Sequence, residues 1–438
     1  MNLVTSFIIF ILAMIVCILT GHTMVIALFI GLICFASVGS RKGFTLNEMT
    51  KMGKDALKDA IVVIEVMFII GFITAIWRAS GTIAFFVYYG IRIITPNLFI
   101  LITFGLCCLL SYALGTSFGV AGTVGVIFMT LARSGDVSEI VTAAAIMSGI
   151  YFGDRGSPVA SSAILVANVT KTDLMDNVKL MMKTAMVPLA ICTVLYGGLS
   201  FANPINHVDQ SFLHTLSQEF NISWWCVIPA IFMLVLPLVK VKVVDAMLIS
   251  IGSAFLISLF VQKMELVPLL KALIFGYTSD GSLGPIINGG GLLSMIEVVF
   301  IVAISSTYSG IFAGTDMLAG LQSQLKPLIH RIGKFGAMVV VSFATLAIFC
   351  NQTIASMMCA DILKKPYEDL GASKRELAID MENSVILLSA VVPWALACAV
   401  PLSFLQVGYE AIPLSFYLYL VPICYALQKK VANPFASE

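Results

Sequence analysis

Apolar residues arrive along this chain in long runs separated by short polar stretches. A helix needs roughly 20 apolar residues to cross the hydrocarbon of a bilayer. Runs of that kind occupy 4–21, 23–38, 60–77, 97–114, 184–200, 224–239, 243–262, 291–312, 335–350 and 411–427. Each predicts a membrane helix. A second class of segment is apolar but interrupted. Positions 115–132, 138–170 and 376–406 carry Gly, Pro, Ser and charged residues inside greasy sequence, and the shorter runs at 82–94, 265–277 and 352–363 do the same. Backbone freed by such breaks is tolerated at membrane depth only where it faces protein or a watery cavity. The pattern predicts an all-α polytopic membrane protein of about a dozen transmembrane or re-entrant helices, with broken helices at the centre.

Composition agrees. Of 438 residues, 59% are hydrophobic and 11% are charged, against about half and a quarter in soluble domains. The net charge is +1 and the basic residues are spread over short loops, which argues against a face for nucleic acid. The ten cysteines lie mostly in apolar runs, as at Cys107-Cys108 and Cys192, without CxxC pairing, and read as reduced packing residues. The opening run MNLVTSFIIFILAMIVCILTGH lacks a basic flank and a small-residue cleavage site. It is expected to persist as a first span rather than be removed as a signal peptide.

Basic residues in short loops set orientation. Arg41, Lys42, Lys51, Lys54 and Lys58 mark the loop at 41–58 as cytoplasmic, with the N-terminus on the same side, and Lys179, Lys183, Lys240 and Lys242 mark further cytoplasmic edges. Residues 201–223 hold no Lys or Arg and are expected outside. The halves also resemble each other: VIEVMFIIGFITAIWRASGT at 63–82 reads against MIEVVFIVAISSTYSGIFAGT at 295–315, with Glu65 opposite Glu297. The connector after the first copy, 92–96, has only Arg92, whereas 326–334 has Lys326, His330, Arg331 and Lys334. The two connectors are therefore expected on opposite faces, making this an inverted-topology repeat, the sequence signature of a secondary transporter. The division expected is a first repeat at 1–183, a connecting span and external loop at 184–223, a second repeat at 224–427 and a tail at 428–438.

An ionisable side chain near the bilayer centre costs at least ~2.5 kcal/mol on insertion scales, so each needs a reason. The deep candidates are Asp154, Arg155, Glu65 and Glu297, followed by Asp316, Asp361 and Glu382. Around Asp154 the sequence reads YFGDRGSP at 151–158. Gly153 and Gly156 permit close approach, and Pro158 biases Ser157 away from helix. Unwinding there frees carbonyl oxygens. With Asp154 and the hydroxyls of Ser157, Ser161 and Ser162 they make an all-oxygen set suited to a hard cation, and Na⁺ fits. Proton and cation compete for one buried carboxylate. The plainer alternative is that Asp154 simply pairs with Arg155 or lies at a loop edge.

The GDRGSP motif preceded by SGIY, the upstream SYALGTSFG, and the late VVPW resemble the NhaC-type sodium/proton antiporter family, over most of the chain in order and hydropathy. The resemblance implies a secondary exchanger of the ion-transporter superfamily in a bacterial-type cytoplasmic membrane. It further implies inverted repeats, an elevator-like or rocking motion, a homodimer, and no cofactor beyond the transported Na⁺ and H⁺. One departure stands out: where the family typically continues Ser-Pro-small-Ser-Asp-Thr-Thr, this chain has Val159-Ala160-Ser161-Ser162-Ala163. A second carboxylate is thus replaced by Ser161. That loss keeps open a sodium- or proton-coupled carrier of a small carboxylate or amino acid, for which Arg155 would offer a bidentate contact.

Two further groups are candidates. Glu65 and Glu297 could relay protons, or each could complement a helix N-terminus. FCNQTIASMM at 349–358 reads as the counterpart of LGTSFGVAGT at 114–123. Thr116, Ser117, Asn351, Gln352 and Thr353 would then supply neutral oxygens across a pseudo-twofold axis, unless they only bond neighbouring helices. GTSFG also matches the G-x-S-x-G nucleophile pattern with Ser117. The glycine pairs Gly115/Gly119, Gly149/Gly153 and Gly310/Gly314 make equal sense as helix-contact faces. There is no HExxH, and His22, His207, His214 and His330 fall in loops or at edges. A transporter is expected rather than a hydrolase. The stretch around His207 and His214 reads as a solvated surface helix.

Overall fold

A computed structural model describes residues 3–93, 95–205, 210–239, 241–279, 283–315 and 322–431. Among the described residues the chain is a bundle of helices without a regular sheet. The first half runs α1 (Leu3–Thr20), α2 (Met24–Arg41), α3 (Leu46–Ala79), α4 (Thr82–Ile93), α5 (Phe99–Leu114), α6 (Ser117–Val120), α7 (Val126–Ser134), α8 (Glu139–Gly156), α9 (Ser161–Thr170) and α10 (Leu174–Ala202). A surface helix, α11 (Gln210–Glu219), follows. The second half runs α12 (Ile228–Leu238), α13 (Val243–Phe260), α14 (Leu266–Phe275), α15 (Gly284–Ile287), α16 (Ile296–Gly314), α17 (Gln322–Phe349), α18 (Gln352–Asp369), α19 (Lys374–Glu382), α20 (Val385–Leu388), α21 (Leu396–Leu405) and α22 (Phe416–Val431).

Eight of the described helices are long and apolar enough to span a membrane, so the polytopic all-α reading holds. Two sequence expectations change. The stretch 41–58 is not all loop, because Thr45 opens α3 early: its hydroxyl accepts from Glu48 N at 3.3 Å while Glu48 Oε2 accepts from Thr45 N at 2.8 Å, a capping box that satisfies two orphan amides. Helix α3 then bends by 47° between Lys58 and Val63. The span expected from 184 likewise begins at Leu174, where Asp173 accepts from Asp176 N at 2.9 Å. The surface helix α11 carries an exposed His214. His207, Asp316 and the tail beyond 431 lie outside the described residues, and His330 has no described side chain.

Among the described residues, four breaks in the helices lie close to one another. After α5, Gly115 adopts φ 65° and Thr116 an extended backbone that caps α6. After α17, Cys350 adopts φ 55° and Asn351 an extended backbone that caps α18. The other two breaks separate α8 from α9 at 157–160 and α20 from α21 at 389–395. Each left-handed residue packs on the partner break. A Cβ on Gly115 would lie 2.7 Å from Val159 C, and Cys350 O accepts from Leu396 N at 2.8 Å.

Ion pairs and hydrogen bonds tie the broken segments to their neighbours at both ends. Arg133 at the end of α7 bonds Glu139 at the start of α8 at 2.8 Å and Leu405 O at the end of α21 at 2.8 Å. At the other end, Arg375 at the start of α19 pairs with Asp176 at the start of α10 at 3.3 Å.

Glycines let these elements approach closely, as their spacing predicted. A Cβ on Gly149 would meet Cys107 Cβ at 2.5 Å, and one on Gly310 would meet Met52 O at 2.5 Å, so the first face packs α8 on α5 and the second packs α16 on α3. The ten cysteines are free, and all but Cys424 are buried. The tightest contact is at Gly153, where a Cβ would fall 2.0 Å from Ser111 C. Ser111 Oγ donates to Gly149 O at 2.9 Å and accepts from Gly153 N at 3.1 Å, fixing α8 one residue before Asp154. Gly153→Ala is therefore expected to cost about 1–3 kcal/mol by overpacking and to lower the melting temperature in detergent by several degrees. Gly105→Ala, whose Cβ would have nothing within 4 Å, should leave it unchanged.

Candidate functional site

Asp154 lies in the last turn of α8, buried at 6% exposure. Its Oδ2 accepts from Gln352 Nε2 at 3.1 Å, and the Ser117 hydroxyl also bears on the carboxylate. Ser117 is the first residue of α6 and Gln352 the first of α18. Two helix N-termini, each favouring negative charge, thus converge on one acid. The same Gln352 Nε2 donates to Ile386 O at 3.1 Å, so one amide ties the carboxylate of α8 to a carbonyl of α20. Ser162 donates to the Asp154 carbonyl oxygen from the first turn of α9, and Ser157 N closes on Gly153 O at 2.9 Å. Tyr151, one turn back, donates to Ala397 O just past the other break.

Arg155 points elsewhere. It is 1% exposed. Nη1 donates to Tyr417 OH at 3.1 Å, and Nη2 to Met181 O at 3.1 Å, Thr184 Oγ1 at 2.6 Å and Asn383 Oδ1 at 2.5 Å. The guanidinium therefore laces α8 to α10, α22 and the turn after α19, and both terminal nitrogens are taken by protein. Next to Asn383, Glu382 is fully buried and feels both Arg155 and Asp154 electrostatically. Neither Glu382 oxygen, nor Arg155 Nε, nor Asn383 Nδ2 has a hydrogen-bond partner among the described residues. Unpaired buried polar groups are costly, and four such atoms lie on Arg155, Glu382 and Asn383.

The expected site residues divide as follows. Ser117 and Gln352 meet the Asp154 carboxylate, Ser162 bonds the Asp154 carbonyl, and Ser157 Oγ accepts from Val159 N at 3.3 Å within the break. Thr116 and Asn351 turn back on their own helices. Thr116 Oγ1 accepts from Gly119 N at 3.1 Å, and Asn351 Oδ1 accepts from Thr353 N at 2.8 Å and Ile354 N at 3.3 Å. Ser161 and Thr353 are exposed, as is Asp361. Glu65 is exposed along α3. Glu297, in the first turn of α16, accepts from Thr23 Oγ1 at 2.6 Å and lines a cleft of about 780 Å³ with His22, Tyr409 and Glu410, not the pocket of Asp154. Among the described residues no cluster of three His, Cys, Asp or Glu side chains forms.

Sequence reasoning flagged Glu382 as a deep acid without giving it a partner, and it passed over Asn383, Thr184 and Tyr417. Nor did it find a second buried network, in which Asp380 accepts from Tyr425 OH at 2.7 Å, Tyr367 OH at 2.8 Å and Lys429 Nζ at 2.6 Å. Glu382 and Asp380 carry a sequence signal, being acids two positions apart within an interrupted apolar run. Thr184 and Tyr417 carry none.

The chain is similar to the malate-2H⁺/Na⁺-lactate antiporter of Bacillus subtilis, at 23% identity over 84% of this chain and 81% of that protein. It is similar to the Na⁺/H⁺ antiporter NhaC of Alkalihalophilus pseudofirmus, at 25% identity over 86% and 83%. It is also similar to the arginine/ornithine antiporter ArcD of Halobacterium salinarum, at 24% identity over 83% and 77%. The sequence profile of one family of membrane transporters matches residues 2–164 and again 149–427, meeting at the very break that holds Asp154. With that coverage, this chain belongs to the Na⁺/H⁺ antiporter family.

Proposed function

We propose that the protein is a sodium/proton antiporter working by alternating access, with Asp154 as the carboxylate that carries Na⁺ and H⁺ in turn. The observation that supports this reading most is the setting of Asp154: a buried acid facing neutral oxygens and amides instead of a cation. Burial favours the neutral acid, whereas two helix N-termini and the Gln352 amide favour the carboxylate. Balanced pulls are what an exchange site requires. Na⁺ as cargo would draw on Asp154, the hydroxyls of Ser117, Ser157 and Ser162, and carbonyl oxygens at the broken ends, all hard ligands.

In this reading the protein consists of two inverted repeats, 1–183 and 224–427, whose paired breaks meet at the site. Arg155 is a tie within the moving unit. Glu65 and Glu297 sit outside the ion pocket, and Glu297 serves the N-terminal turn of α16 and its bond to Thr23.

A second reading, coupled exchange of a small carboxylate or amino acid, draws support from the relatives named for malate, lactate, arginine and ornithine, and from Ser161 in place of an acid. Against it stands the guanidinium of Arg155, whose terminal nitrogens are already engaged.

In proteoliposomes carrying a pH-sensitive dye, an imposed Na⁺ gradient is expected to move protons without any organic solute. Flux that appears only after adding a carboxylate or amino acid would decide for the second reading. Asp154→Asn should lower the Na⁺-driven flux at least tenfold while keeping the thermal unfolding of the parent, and full activity in that variant would remove Asp154 from the cycle. Gln352→Leu removes one bond to a charged group, worth about 1.5–3 kcal/mol. It should raise the Na⁺ concentration for half-maximal flux about tenfold or more, with a smaller effect on the maximal rate. An unchanged half-saturation would mean that Gln352 is a scaffold residue only.

A further inference from the structure

The end of α17 that meets α22 has a construction the transport site does not explain. Gly333, at φ 80° and ψ 167°, breaks α17 so that its membrane-spanning part starts at Lys334. Helix α22 runs the opposite way and ends with Lys429 and Lys430. Both helix ends lie at one level, since Lys334 and Lys429 reach the same carboxylate, Glu376, at 2.9 and 3.0 Å. Between the two helices runs a groove of about 620 Å³. Its mouth is formed by Lys334, Lys429 and Lys430 and its wall includes Val339, Phe343 and Ile423. The wall opens outward: Phe343 is 40% exposed and Ile423 54%.

We propose that this groove binds one anionic phospholipid, its phosphate at the lysines and an acyl chain along the wall. Charge and length both favour that occupant. Glu376 and, behind it, Asp380 offset two of the three lysines, leaving one positive charge in excess at the mouth, and Lys430 is exposed there. From Lys334 to Phe343 the helix rises about 14 Å, close to half of a hydrocarbon core of about 30 Å, which is the depth of one leaflet. A soluble anion would use the lysines and leave the apolar wall uncovered. A zwitterionic lipid would cover the wall without answering the excess charge. The bound headgroup sits over the Glu376–Lys429–Asp380 network, in the helix that leads to Glu382 and Asn383.

The test uses the full chain purified in a neutral detergent, with phosphatidylglycerol, phosphatidylcholine or inorganic phosphate added. Bound lipid is counted by native mass spectrometry and stability is followed by thermal unfolding. Phosphatidylglycerol is expected to remain bound at about one per chain and to raise the melting temperature by about 3 °C or more beyond phosphatidylcholine, with phosphate alone giving no shift. Lys430→Gln should lose most of the difference between the two lipids. Val339→Trp, which fills the wall and keeps every lysine, should lose the bound lipid. Equal stabilisation by phosphatidylcholine would overturn the proposal, as would a full effect from inorganic phosphate. So would retention of phosphatidylglycerol by both variants, or a lipid-free dimer sealed across this face.

Discussion

The structure depends on keeping a guanidinium inside a bundle of apolar helices. Arg155 cannot shed its charge, so every nitrogen it brings inward calls for an acceptor. The chain answers with groups from three separate places: the carbonyl of Met181 and hydroxyl of Thr184 on α10, the phenol of Tyr417 on α22, and the amide oxygen of Asn383 after α19. Those contacts hold the end of α8 in place. Asp154, one residue earlier and about 100° around the helix, faces α6 and α18 instead. The neighbouring acid and base divide the labour: one fixes the scaffold, and the other is left to chemistry.

Broken helices in a bilayer carry a debt of unsatisfied backbone groups. Here short polar side chains settle part of it locally, with Thr116 and Asn351 each capping the helix that follows its break. In the second half the two breaks also settle part of it between themselves, as Leu396 N reaches Cys350 O. A left-handed backbone suits Gly115 but strains Cys350, and Cys350 Sγ is held by Tyr308 OH at 2.6 Å. The same left-handed turn is thus built from Gly after α5 and from Cys after α17.

Nearly every span was legible in the hydropathy, because crossing a membrane imposes a length and an apolarity that no tertiary context overrides. The breaks were legible too, from Gly, Ser and Pro in greasy surroundings. Asp154, Ser117 and Gln352 were singled out as polar groups at broken helix ends, and they do meet, although Gln352 offers an amide N–H where the sequence suggested an oxygen. Thr116 and Asn351 show the limit of that logic, since a residue able to offer oxygen to an ion is equally able to cap its own helix. Glu65 and Glu297 match in sequence, yet neither enters the pocket of Asp154, because alignment of two copies says nothing about which face of a helix turns inward. Glu382 could be flagged as a buried acid from its apolar surroundings. That it feels Arg155, more than two hundred residues earlier, leaves no trace in one sequence.

The amide of Gln352 is shared between a carboxylate from one half of the chain and a carbonyl from the other. A proton on that carboxylate takes up the charge the amide bonds to and loosens the link, whereas a bound cation leaves the oxygens charged and the link in place. Protonation and slack at the seam are then one event. A latch of this kind reports which cargo the compartment holds with no messenger running through the rest of the bundle, because the bolt and the sensor are a single side chain.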